Sequence, residues 1–223
     1  STTTGMTMPG PIGVRVSHAV SRRSGTGLQV GVQRDPRRVL GMRLGIDLDG
    51  VVADFNAGWI RLHQEEFGSE LHPEMVTTWD GLHELGGFAD MDAFWRWARG
   101  NADRPSIFRH LDVFPDALET LRDLDRAGHK VVIVTTKPRW ARVDTFRWLA
   151  DHEIPTAEVH MTDRKYEVEC DVYLDDSPHV LQDLVRLRPD ATVCRFVRPW
   201  NEPVSGAIDV VSWAEFHDRV TQR

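Results

Sequence analysis

The sequence predicts an α/β fold: a doubly wound parallel sheet of five strands, with a small helical cap inserted after the first strand. Three observations carry this. Five short apolar runs, at 43–47, 130–135, 157–161, 171–175 and 191–197, are separated by helical patterns. Four of the runs lack polar alternation, which suits strands covered on both faces, and strands alternating with helices build parallel sheets through crossover connections. The stretch 55–112 breaks this rhythm, because it holds helical pieces and no strand.

In chain order, the first run centres on Leu44-Gly45-Ile46. Helical pieces follow at 55–67, ending at Gly68, and at 91–99, ending at Gly100. A connection this long is exceptional and reads as an insert rooted beside the carboxyl end of the first strand, where ligands sit in open α/β sheets. Over 115–127, Ala117, Leu118, Leu121 and Leu124 fall at helical spacing, with Pro115 near the start and Gly128 past the end. Ala141, Phe146, Leu149 and Ala150 repeat the pattern over 139–151. Ser177 precedes Pro178 and the stripe Val180, Leu181, Leu184 and Val185, the signature of a capped helix to 187. Ser212 and Glu215 form a capping box for a last helix to about Val220.

The domains expected are therefore a core at 42–54 and 113–223, a helical cap at 55–112 and a disordered extension at 1–41. The extension is rich in Gly, Ser, Thr, Pro and Arg and has no periodicity. Two readings of it stay open: an Arg-rich, acid-poor organellar transit segment, or an over-extended reading frame with Met42 as the true start. Otherwise a cytoplasmic location is expected. The net charge of −7 divides unevenly, with +6 over residues 1–43 and −13 over the rest. An acidic body argues against a nucleic-acid polymer as partner. No apolar run approaches the ~18 residues of a membrane span. Cys170 and Cys194 lie in or beside apolar segments and read as free thiols. A homodimer is compatible with all of this.

Four motifs carry chemistry. Asp47-Leu48-Asp49-Gly50-Val51 ends the first strand. Carboxylates two positions apart point the same way from a strand, so Asp47 can attack a phosphorus atom while Asp49 handles the proton. Gly50 lets the backbone turn past a phosphate. The second strand ends in Thr135-Thr136, hydroxyls suited to phosphoryl oxygens. Lys165, one of three lysines, can neutralise both Asp47 and the transferring phosphate. Asp175-Asp176 end the fourth strand. Magnesium takes few carboxylates plus substrate phosphate, and Asp47, the Asp49 carbonyl, and Asp176 or Asp175 fit that count. Each motif alone also reads as an ordinary turn, strand end or helix start; their joint order at strand carboxyl ends points to phosphoryl transfer.

With these residues the chain resembles the haloacid dehalogenase superfamily of phosphohydrolases, whose four motifs match Asp47-Leu48-Asp49-Gly50-Val51, Thr135, Lys165 and Asp175-Asp176. The resemblance covers about 43–220 and implies a Rossmann-like sheet of order 5-4-1-2-3, an aspartyl-phosphate intermediate and Mg²⁺. Asp49 as second acid looks like the phosphatase branch. Asp47 through Phe55, Phe114-Pro115-Asp116-Ala117-Leu118, Val134-Thr135-Thr136-Lys137-Pro138 and Arg198-Pro199-Trp200-Asn201 are similar to the 5'(3')-deoxyribonucleotidases. Ser177 stands where some members carry a charge.

The insert is rich in aromatics. Phe55, Trp59, Trp95 and Trp97 are candidates to face the cleft, because the rings of Phe94-Trp95-Arg96-Trp97 cannot all turn inward on one helix. A ring over the cleft can stack on a nucleobase. The expected activity is thus Mg-dependent removal of phosphate from a nucleoside monophosphate. The alternatives are a phosphatase of another small phosphorylated metabolite, and a catalytically silent binding protein on the same fold.

Overall fold

The computed structural model of the chain describes residues 41–78 and 80–222. The extension expected to be disordered lies, apart from Gly41, outside the described residues. The apolar runs form β1 (Arg43–Ile46), β4 (Lys130–Thr135), β5 (Glu158–Met161), β6 (Val172–Asp175) and β7 (Thr192–Phe196). All pair in parallel, in the spatial order β5-β4-β1-β6-β7. Read from the other edge this is the 5-4-1-2-3 arrangement, with β1 central. The sheet is larger than expected: β8 (Ile208–Val210) adds a sixth parallel strand beyond β7. Three residues carry too little periodicity to announce a strand, and β8 is held partly by an Arg195–Asp209 ion pair across the ladder.

The helices α4 (Ala117–Arg126), α5 (Arg142–Asp151) and α6 (Pro178–Leu187) join these strands, and α7 (Trp213–Thr221) follows β8. Leu121, Leu124, Leu181 and Phe216 lie fully buried on their inner faces, and Leu44, Ile46, Ile133 and Leu174 fill the sheet. Burying each such side chain is worth about 1.5–3 kcal/mol. Among the described residues no helix is long and apolar enough to cross a membrane.

After β1 the chain makes one tight turn in which the amides of Val51, Val52 and Ala53 all donate to the Leu48 carbonyl. It then enters β2 (Ala53–Asp54), α1 (Phe55–Phe67), α2 (Leu82–Leu85) and α3 (Met91–Ala98), and returns through β3 (Asp112–Val113). β2 and β3 pair antiparallel, so the outgoing and returning strands of chain are stitched together beside β1. This two-residue ribbon is shorter than any strand the sequence announces. Asp54 caps α1 by accepting from the Ala57 amide at 3.0 Å, and Gly68 ends it in the left-handed region at φ 65°.

Candidate active site

The carboxyl ends of β1, β4 and β6 converge on one cavity of about 440 Å³. The Asp47 amide donates to the Leu174 carbonyl at 3.0 Å, which carries the β1–β6 ladder one residue past the strand and sets Asp47 at the cavity floor. Asp47, Asp49, Gly50, Thr135, Thr136, Lys165 and Asp176 all line this cavity. Asp175 stands just beneath, fully buried.

Lys165 ties the acids together. Its ammonium lies 2.9 Å from Asp47 Oδ1 and 2.6 Å from Asp175 Oδ2. Burial opposes that charge, but Asp175 and Asp47 outweigh it and hold the ammonium above its ordinary pKa. The other oxygen of Asp175 accepts the Ser177 amide at 2.9 Å, so both of its carboxylate oxygens are committed. Burial still pushes the Asp175 carboxyl up to about 6, against the pull of Lys165.

Asp176 differs. Its Oδ2 accepts from the Trp200 indole at 2.8 Å, and its backbone carbonyl accepts from Asn201 Nδ2 at 2.8 Å. Its Oδ1 is buried with no partner. Burial raises its carboxyl well above the ordinary value, and the Asp47 and Asp175 charges add to that. Oxygens of Asp47, Asp175 and Asp176 lie within 4.8 Å of one another. Three carboxylates against one ammonium, with an orphaned oxygen among them, is an arrangement that asks for a cation. Hard oxygen donors of this kind suit a divalent cation.

Gly50 is required where it stands. Its φ is 76°, and a Cβ there would fall 2.1 Å from Asp176 Oδ2. The Thr135 hydroxyl is buried without a partner beside the cavity, whereas the Thr136 hydroxyl donates to the Thr162 carbonyl at 3.1 Å. Of the two, only the Thr135 hydroxyl is uncommitted.

Two expected cleft aromatics line the cavity, Phe55 and Trp95. The other two do not. Trp59 is fully buried, edge-on to Phe94 at 5.6 Å, with its indole bonded to Asn56 Oδ1 at 3.1 Å. Trp97 packs on Phe88 at 5.3 Å, donates to Glu66 and carries the Arg104 guanidinium over its ring. Trp59 turns into the interior because a small helical unit must fill its own core first, and Trp97 lies half-buried against Phe88, away from the cavity.

Three further residues shape the site. Lys137, itself buried, holds Asp49 Oδ1 at 2.5 Å and stands 3.9 Å over the Phe108 ring. Burial raises the Asp49 carboxyl and lowers the Lys137 ammonium, and each partner offsets the other's shift. Lys137 is one of only three lysines, a scarcity that marks it in the sequence. Arg198 is clasped between Phe114 at 4.0 Å and Phe196 at 4.1 Å and donates to the Gly50 carbonyl at 2.6 Å. Trp200 comes from the same loop; both belong to the segment Arg198-Pro199-Trp200-Asn201, whose contacts no spacing rule reveals.

Residues 41–223 match the model of a family described as 5' nucleotidase, deoxy (pyrimidine), cytosolic type C protein. A protein of Chlorobaculum tepidum provisionally named a 5'(3')-deoxyribonucleotidase is 29% identical over 187 residues, covering 79% of this chain and 89% of that one. The human 5'(3')-deoxyribonucleotidase, cytosolic type, is 26% identical over 152 residues, covering 62% of this chain and 72% of its own. Among solved structures, a predicted phosphatase from Clostridium acetobutylicum superposes with a TM-score of 0.59 at 13% identity, over 82% of this chain and 100% of that one. The chain therefore belongs to the 5' nucleotidase, deoxy (pyrimidine), cytosolic type C family.

Proposed function

We propose that this phosphoric monoester hydrolase removes phosphate from nucleoside monophosphates through an aspartyl-phosphate on Asp47. The observation that carries the reading is the meeting of Asp47, Asp49, Thr135, Lys165 and Asp176 around one cavity. Asp47 and Asp176, with the Asp49 backbone carbonyl, would hold a divalent cation, Mg²⁺ by the chemistry of these donors, which would polarise the phosphoryl group and offset the charge of two anions brought together. Asp175 serves a different purpose, anchoring Lys165 from below.

An Asp47 oxygen attacks phosphorus in line as the ester P–O bond breaks. Asp49 gives its proton to the departing sugar oxygen, a role helped by a carboxyl held above its ordinary range. Lys165 and the Thr135 hydroxyl hold the phosphoryl oxygens, and the buried setting strengthens both contacts. Water then attacks the phosphorus, Asp49 takes back a proton, and the acyl-phosphate bond breaks to release phosphate and restore Asp47.

The nucleotide assignment rests on the wall opposite the carboxylates. Phe55, Val76, Leu82, Met91 and Trp95 make it apolar and aromatic, and the volume lies within the roughly 300–1,000 Å³ range of small-molecule sites. Residues 55–112 act as a cap that covers the reacting phosphate and excludes polymers. The test is turnover by the purified protein with Mg²⁺ across a panel of phosphate esters. Nucleoside monophosphates are expected to lead, and Asp47→Asn to lower kcat at least ~10³-fold with the fold intact. A better non-nucleotide ester would overturn the substrate, and retained turnover in Asp47→Asn the nucleophile.

A further inference from the structure

We infer that Trp200 is a positioning residue for the cation site: its indole N–H fixes the Asp176 carboxylate so that Oδ1, and not Oδ2, is the oxygen offered to the metal. The inference rests on the cation site proposed above. It starts from a contrast. Asp176 Oδ2 accepts the Trp200 Nε1–H at 2.8 Å, while Oδ1 is buried with no partner. A carboxylate rotates easily about its last bond, and here like charges on Asp47 and Asp175 push it away. One aimed donor on Oδ2 opposes that push and settles which oxygen is free. The close approach of Gly50 shuts Oδ2 in from the other side, since even a methyl group there would collide with it.

The donor is itself held. Asn201, next along the chain, donates through Nδ2 to the carbonyls of Asp176 at 2.8 Å and Phe196 at 2.9 Å. Its Oδ1 accepts from Arg195 Nη1 at 2.9 Å and the Arg198 amide at 3.1 Å. Arg195 is in turn ion-paired to Asp209 on the edge strand β8. The loop after β7 is thus pinned to the end of β7 and to the residue just past β6, and the indole it carries reaches Asp176 from a fixed base. Groups that orient metal ligands from behind characteristically set affinity for the ion as strongly as they set activity.

The test is Mg²⁺ binding by calorimetry to the full chain and to Trp200→Phe, which keeps an aromatic ring and deletes the N–H. The Kd is expected to rise about 10- to 100-fold with circular dichroism unchanged, and turnover to recover as Mg²⁺ is raised. A Kd within twofold of the parent would overturn the role of Trp200, whereas no Mg²⁺ binding by the parent itself would overturn the cation site on which it rests. Should Trp200→Phe not fold, the unsubstituted protein still decides. In ¹⁵N spectra the Trp200 Nε1–H signal, assigned through its neighbours, is expected to shift with the calorimetric Kd as Mg²⁺ is added. A signal unmoved at saturation overturns the inference.

Discussion

Lys137 Nζ lies 2.5 Å from Asp49 Oδ1, inside a shell formed partly by the Phe108 ring. The ammonium is almost wholly buried while the carboxylate is 28% exposed toward the cavity. Both oxygens of Asp49 are thus held by one fixed cation, while part of the carboxylate still faces the cavity. In the mechanism proposed above Asp49 gives and then retakes a proton, and such a mount keeps its position through both steps.

Replacing Lys137 by Met removes this mount at nearly constant volume. The exposed side of Asp49 limits the damage to stability, which is expected at about 1–2 kcal/mol rather than the larger loss of a fully buried broken pair. Activity should suffer more, with kcat/KM down roughly 10²-fold. Urea melts alongside steady-state kinetics check both, and unchanged kinetics would remove Lys137 from the proton-transfer scheme.

Thr135→Val tests a hydroxyl that has no partner in the folded chain. An unsatisfied buried hydroxyl is a burden, so its removal should leave stability unchanged or raise it by up to ~1 kcal/mol. The same change is expected to lower kcat about 10²-fold by deleting a donor to the phosphoryl group. A variant that melts higher yet turns over slowly is the signature; one that loses stability would place the hydroxyl in a structural role.

The four aromatics divide by where they point. Trp95→Ala should raise KM roughly 5- to 150-fold, the counterpart of about 1–3 kcal/mol of base stacking, with a modest effect on melting. Trp59→Ala should do the reverse, costing about 3–5 kcal/mol of stability because its ring is fully buried. Parallel kinetics and denaturant titrations separate the two, and equal KM effects would contradict the assignment.

Burial pushes the Cys170 thiol up to about 11, against a lowering pull from Arg43. The folded chain thus favours the neutral thiol more than the unfolded chain does. The associated stability is fully present below the unfolded pKa and is lost as pH rises through the folded one, between about pH 9 and 11. At pH 8.5 the thiol should alkylate far more slowly than a free cysteine. Mass spectrometry after iodoacetamide treatment measures this, and labelling at the free-thiol rate would show that the site is open.

Much of the fold was legible because it rests on local patterns. Apolar runs bounded by Gly, Pro and capping residues announced β1, β4, β5, β6 and β7 and the helices between them, since period and caps are properties of short segments. The motifs Asp47-Leu48-Asp49-Gly50, Thr135, Lys165 and Asp175-Asp176 stood out for the same reason: each is a few residues at a strand's end. What tertiary structure alone decided depends on partners distant in the chain. The strand β8 exists through its pairing with β7 and the Arg195–Asp209 ion pair. Trp59, Trp95 and Trp97 are the same residue type, yet only packing determines that Trp59 is buried, Trp95 lines the cavity and Trp97 stands half-buried beside Phe88. Lys137 meets Asp49 across 88 residues and Trp200 meets Asp176 across 24, and no periodicity encodes such meetings. Sequence determined which chemistry was present; folding determined which oxygen of which carboxylate was left free to use it.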